Sequence, residues 1–236
     1  MRSDWTGDAA CAGFRVSPAY TKTSHGDFDV NTFILYRKGV LSPDSGIYDI
    51  NNGQLSYTHY QKNTVAHNNL LIVDPNNPNN PTKLSGGVAD PGGTELITTR
   101  TFGLDYGRGL QTIFLHNASA EWGDITRVEQ TADYDYVVGE APKAYGSRLS
   151  EYSRNIVFIR NGTKAYFVAF DRVNSTNANF QKKWLMHFVT EPLIDGNKVS
   201  EEVANHIDTY DGSLTRSANI NGTSSIFCKT LMPDVS

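Results

Sequence analysis

Residues 155–170 read Asn-Ile-Val-Phe-Ile-Arg-Asn-Gly-Thr-Lys-Ala-Tyr-Phe-Val-Ala-Phe. Two runs of β-branched and aromatic residues flank the pair Asn161-Gly162. Such a pair is a strong hairpin signal, because both central residues of a type I′ turn need positive φ and few residue types tolerate it. The stretch therefore reads as two antiparallel strands with Asn161 and Gly162 at the centre of their turn.

The same vocabulary recurs on both sides of this hairpin. Further strand candidates are residues 32–37, 69–73, 95–102, 110–117, 123–130, 183–189 and 225–231. Many short strands separated by turn signals point to a sandwich or a barrel. No long amphipathic helix and no repeat of fixed period is present. Residues 74–93 are crowded with proline and glycine and read as a surface loop. An all-β unit of 236 residues fits one domain, so residues 1–236 are taken as a single β-sandwich.

Composition excludes some partners. The net charge is −4 with 19% charged residues, so the chain lacks the basic footprint of a nucleic-acid binder. An anionic ligand would have to be drawn by local basic residues or by another domain. No apolar run is long enough to span a bilayer. The opening MRSDWTGDAA has neither the basic start nor the apolar stretch of a signal peptide. Cys11 and Cys228 lie far apart and form no metal pattern; they read as two free, mostly buried thiols, with a disulfide open only if their strands meet. Asn-x-Ser/Thr triplets at Asn117, Asn161, Asn174 and Asn221 matter only in a eukaryotic secreted setting.

Three segments concentrate groups able to do chemistry. "SHGDFDVNTF", residues 24–33, read as a strand puts His25, Asp27 and Asp29 on one face. Pro43-Asp44-Ser45-Gly46 places a carboxylate at the end of the apolar strand that the first segment enters. Thr64-Val65-Ala66-His67-Asn68-Asn69 carries a histidine into another apolar strand. A histidine and carboxylates from separate strands can converge on a divalent ion. Spacing alone leaves two other readings open: Asp44 as a turn residue bonding its own backbone, and His67 as a satisfied structural histidine. His187 alternates with core residues and reads as a structural donor, while His116 and His206 sit in polar turns. Trp122 and Trp184 read as core residues rather than sugar platforms.

Taken in order, "MRSDW", "HGDFDVNTF", "LSPDSGIYD", "YQKNTVAHNNLLIVDP", "GDIT", "SRNIVFI", "FVAFDRV" and "KKWLMHFVTEP" resemble the β-sandwich part of the heparinase II/III-like polysaccharide lyases. The resemblance is nearest to heparinase II and runs over nearly the whole chain. It implies a stacked antiparallel β-sandwich of two layers, a supersandwich. It also implies a fragment of a larger bacterial enzyme, periplasmic or secreted, in which an α/α-toroid of helices precedes this region and further β-structure follows it.

The family's His-x-His-x-Asp pattern meets His-Gly-Asp-Phe-Asp here. By resemblance, His25 faces substrate as the catalytic residue, and Asp27 stands where the family has a metal-binding histidine. Asp29 matches the aspartate that steadies the turn. Asp44 matches the family's metal-binding aspartate, and His67 its third ligand. The implied cofactor is a divalent metal on Asp27, Asp44 and His67, with water as fourth ligand. Zinc is the first choice, and calcium competes because a carboxylate replaces an imidazole. Tyr60, Lys62, Arg100 and Tyr106 are candidates for substrate contact. The implied partners are an acidic polysaccharide, heparan sulfate-like or alginate-like, and the helical toroid; no nucleic acid or membrane is expected, and self-association stays open. The implied reaction is β-elimination beside a uronic acid, incomplete without the toroid. A metal-stabilised, non-catalytic sandwich that binds carbohydrate is the competing reading.

Overall fold

The computed structural model describes residues 1–16, 29–46, 64–76, 123–162, 164–202 and 207–232. The first strands are β1 (Cys11–Arg15), β2 (Thr32–Tyr36), β3 (Val40–Ser42) and β4 (Leu70–Val73). Next come β5 (Asp124–Gln130), β6 (Tyr134–Glu140), β7 (Leu149–Asn161), β8 (Lys164–Ser175) and β9 (Gln181–Trp184). The last five are β10 (Leu193–Ile194), β11 (Lys198–Glu202), β12 (Ile207–Tyr210), β13 (Leu214–Ala218) and β14 (Ser225–Lys229). Among the described residues the only helical turns are two 3-10 stretches, Thr64–Ala66 and Pro142–Arg148.

Every pairing between these strands is antiparallel. β5-β6-β7-β8 form a meander, β1-β2-β3 a second sheet, and β4 pairs with β9. β10-β13-β14 and β11-β12 complete the set. The chain is an all-β stacked antiparallel sandwich.

Side-chain alternation explains the stacking. Along β7, Tyr152, Arg154, Ile156 and Phe158 are buried while their neighbours are partly exposed. Ile156 and Phe158 meet Ala12, Phe33, Leu35 and Leu41, so the meander lies on the β1-β2-β3 sheet. Burial of each such side chain is worth about 1.5–3 kcal/mol. β4 is buried at all four positions, as a continuous Leu-Leu-Ile-Val run demands. Leu70 and Ile72 pack with Tyr145, Leu149 and Tyr152, whereas Leu71 and Val73 pack with Val65 and Leu185.

Several expectations are corrected. In the long hairpin Asn161 pairs with Lys164, so the turn is centred one residue later than Asn161-Gly162. The positive φ falls on Gly162, at 57°, and not on Asn161. Glycine takes the first central position, where it adopts positive φ without the steric cost of a Cβ. Asp29 does not run straight into the apolar strand: Val30 and Asn31 form a turn, with Asn31 at φ 66° and Thr32 N–H donating to the Asp29 carbonyl at 3.0 Å. A further tight turn at Lys38 and Gly39 separates β2 from β3, so Asp44 follows β3. The strand expected at 183–189 is β9, which ends at Trp184. Trp184 is 47% exposed, with its ring 5.9 Å from that of Phe33, so it is no core residue. Cys11 and Cys228 are free and half-buried. The strand candidates at 95–102 and 110–117, and Trp122, His116 and His206, lie outside the described residues.

Candidate functional site

The 3-10 turn Thr64–Ala66 delivers His67 to the start of β4. His67 N–H donates to the Thr64 carbonyl at 3.0 Å. Ser45 N–H donates to the Ala66 carbonyl at 2.7 Å, which ties the segment after β3 to this turn. As a result His67 Nδ1 lies 3.1 Å from Asp44 Oδ1. The histidine side chain is 2% exposed and the aspartate 43%, so the pair joins a buried imidazole to a carboxylate at the surface.

Two ligands at about 2.0–2.2 Å from a tetrahedral zinc stand about 3.4 Å apart. The observed separation of 3.1 Å is close to that. The donor set of imidazole plus carboxylate fits a divalent cation. Among the described residues no third histidine, cysteine or acid joins the pair.

Asp29, the expected support residue, is 3% exposed and accepts a hydrogen bond from Arg15 Nη1. Arg15 pairs with Thr32, and Asn31 N–H donates to the Arg15 carbonyl at 2.9 Å. These contacts close the base of the connection between β1 and β2, on which His25 and Asp27 lie. The same base is bonded to the residues after His67. Asn68 Nδ2 donates to the Phe33 carbonyl at 2.8 Å, and Asn69 Nδ2 to the Val30 carbonyl at 2.9 Å. His25, Asp27, Tyr60, Lys62, Arg100 and Tyr106 lie outside the described residues.

His187 backs the pair from β9's continuation. Its ring Nε2 is 3.0 Å from the Val65 carbonyl. A carbonyl can only accept, so Nε2 carries the proton. Burial, and then the nearby His67, hold the His187 pKa down at about 4, against the pull of the Val65 carbonyl and Asp44. The ring is neutral near pH 7, as a structural donor should be.

The residue that sequence reasoning missed is Arg154. It is fully buried and makes a two-pronged pair with Asp171, Nε to Oδ1 at 2.8 Å and Nη2 to Oδ2 at 2.7 Å. Its Nη1 donates to the carbonyls of Asn31, at 2.6 Å, and Asn68, at 2.8 Å. Burial, the largest influence, draws the guanidinium pKa down, but the charge and hydrogen bonds of Asp171 together with the Tyr152 and Tyr145 hydroxyls outweigh it, and the net shift is upward. One side chain thus fixes the base of the His25 connection and the residue beside His67. Part of the signal was available: Arg154 has the inward parity of Tyr152 and Ile156, but its place across from Asp171 follows only from the observed register.

No protein-family model and no curated protein matches the chain. Among solved structures it is similar to a heparan sulfate lyase HepC mutant from Pedobacter heparinus, at TM-score 0.56 and 16% identity. The likeness covers 93% of this chain and 25% of that one, so the chain spans about a quarter of the structure it matches. At this identity the likeness establishes a shared fold: the sandwich described above is heparinase-like.

Proposed function

We propose that this chain is the β-sandwich part of a polysaccharide lyase that cleaves a uronate-containing polymer, heparan sulfate-like or alginate-like, by β-elimination. The observation that carries the proposal is the contact of 3.1 Å between His67 and Asp44, made on a heparinase-like fold. A second observation supports it. The base of the connection bearing His25 and Asp27 is hydrogen-bonded to Asn68 and Asn69. Asp27 is three residues from Val30, and so within about 11 Å of it by chain length alone.

In this reading Asp27, Asp44 and His67 hold a divalent ion, zinc before calcium. When bound, the ion supplies fixed positive charge beside the cleft and joins three segments. The C5 proton of a uronate is hard to remove while the adjacent carboxylate keeps its charge. Donors such as Arg100, Lys62, Tyr60 and Tyr106 are assigned to meet that carboxylate, since charge developing there needs pre-placed partners. His25 takes the proton-transfer role, because an imidazole titrates near neutral pH. A helical domain supplies the rest of the cleft.

The test measures ultraviolet absorbance of the unsaturated product on heparin and alginate. These 236 residues alone should turn over little, and a longer protein in which a helical toroid precedes them should turn over well. In the latter, His25→Ala should abolish turnover and leave the melting temperature unchanged. Full turnover by that variant refutes the role of His25. Asp44→Ala should lower bound zinc, and an unchanged stoichiometry removes Asp44 from the ligands. Binding of heparin without turnover by the longer protein would favour the non-catalytic carbohydrate-binding reading, which the His67–Asp44 contact also suits because it needs no metal.

A further inference from the structure

We infer that Asn68 is the positioning residue of this site: its side chain clamps the segment carrying Asp44 to the segment carrying His67 and so sets the separation of the two candidate ligands. The inference rests on the reading of that pair as a metal-binding site.

Asn68 follows His67 directly and is completely buried. Its Nδ2 gives one proton to the Phe33 carbonyl at 2.8 Å and the other to the Pro43 carbonyl at 3.0 Å. Pro43 is the residue before Asp44. The Asn68 Oδ1 accepts the His187 N–H at 2.7 Å, and the Asn68 main-chain carbonyl accepts from Arg154 Nη1 at 2.8 Å. The clamp therefore runs from the residue after one candidate ligand to the peptide before the other. Few rotatable bonds remain between them, which is how outer partners orient metal ligands.

The side chain has to be asparagine. The position needs two donors and one acceptor on a short planar head. Aspartate offers no donor, leucine no polar atom, and glutamine reaches one carbon too far. The Ser45–Ala66 backbone bond is a second tie between the segments, so loss of Asn68 loosens the pair without severing it.

A clamp and a plain core residue differ in what their loss disturbs. Asn219 gives the control: it is 3% exposed and ties the Lys38 carbonyl to Thr223 away from the pair. Asn68→Ala and Asn219→Ala are compared by titrating the folded proteins with Co²⁺ alone. In parallel, ¹⁵N shifts of the His67 ring are recorded in metal-free protein at pH 8. Asn68→Ala should bind Co²⁺ at least about 10-fold more weakly than wild type, with Asn219→Ala unchanged. Its His67 ring shifts should move away from the wild-type values, as in Asp44→Ala.

Wild-type Co²⁺ affinity or wild-type ring shifts in Asn68→Ala overturn the inference. A wild-type protein that ignores Co²⁺ sinks the metal reading, and the ring shifts still decide on Asn68. Should Asn68→Ala not fold, the wild type alone is decisive. Asn68 side-chain amide protons must exchange far more slowly than those of exposed Asn177, and equal rates refute the clamp.

Discussion

Replacing Arg154 by methionine should be among the most damaging single changes in the sandwich. The substitution keeps a long side chain among the rings of Phe33, Tyr152 and Trp184, which lie 5.6, 5.9 and 5.9 Å from the guanidinium carbon. It removes the charge and all four hydrogen bonds. Asp171, whose side chain is only 10% exposed, is left without its counter-ion. Breaking a buried pair in this way costs about 3–5 kcal/mol. The Asn31 and Asn68 carbonyls also lose a donor, at about 1–3 kcal/mol each before relaxation. Because such terms overlap, the expected loss is about 4–6 kcal/mol in all. With a urea m-value of about 2–3 kcal/mol/M, the unfolding midpoint should fall by about 2 M. Tryptophan fluorescence during urea unfolding is the assay. The double variant Arg154→Met with Asp171→Leu removes both charges and should regain at least about 2 kcal/mol over the single one. A single variant that loses under about 1 kcal/mol, or a double variant no better than the single, would refute the reasoning.

His187 gives a pH prediction. Its folded pKa of about 4 lies below the ordinary value of 6.5, so the unfolded chain binds the proton first as pH falls. Its contribution is fully present above pH 6.5 and is lost between there and pH 4, by up to about 3 kcal/mol. His187→Gln should flatten that part of the stability profile, and an unchanged slope in denaturant titrations across this range would contradict the assignment. Gly139 tests close packing of β6 on the base of the β1–β2 connection. A Cβ there would come within 2.4 Å of Asn31 Oδ1, 2.5 Å of Val16 Cγ2 and 2.8 Å of Phe14 Cζ. Gly139→Ala should therefore cost about 1–3 kcal/mol, read as a lower melting temperature, and an unaltered one would show the neighbours can give way.

What the sequence made legible was the alternation. Inward parity along β7, the all-apolar β4 and the Asn-Gly hairpin suffice for stacked antiparallel sheets. What it hid were positions where a buried polar group breaks that alternation. β6 is absent from the strand candidates, and at its start Asp135 interrupts the apolar pattern although it is 2% exposed and paired with Arg160. β9 was placed too late because the end of its ladder is set by a side chain. Leu185 N–H still reaches the Asn69 carbonyl at 2.8 Å, but the His187 N–H is taken by Asn68 Oδ1. Centring the hairpin one residue early would have set Arg154 across from Ala169 instead of Asp171, concealing the ion pair.

The candidate site shows the same limit from the other side. Asp44 and His67 could be singled out by residue type, because carboxylates and imidazoles announce chemistry. The residues that hold them could not, since Asn68 and Asn69 in a sequence look like loop residues. Both are fully buried here, and their side-chain amides bond the carbonyls of Phe33, Pro43 and Val30. Apolar replacements could make a core of equal stability, but they would carry no directional bonds. Directional bonds are what fix one strand end against another when the apolar surfaces between them could slide. The polar cluster of Asn31, Asn68, Asn69 and Arg154 lies where the β1–β2 connection, the Asp44 segment and the His67 turn meet. Four buried polar side chains at that junction suit a fold that holds three chain segments in one fixed arrangement.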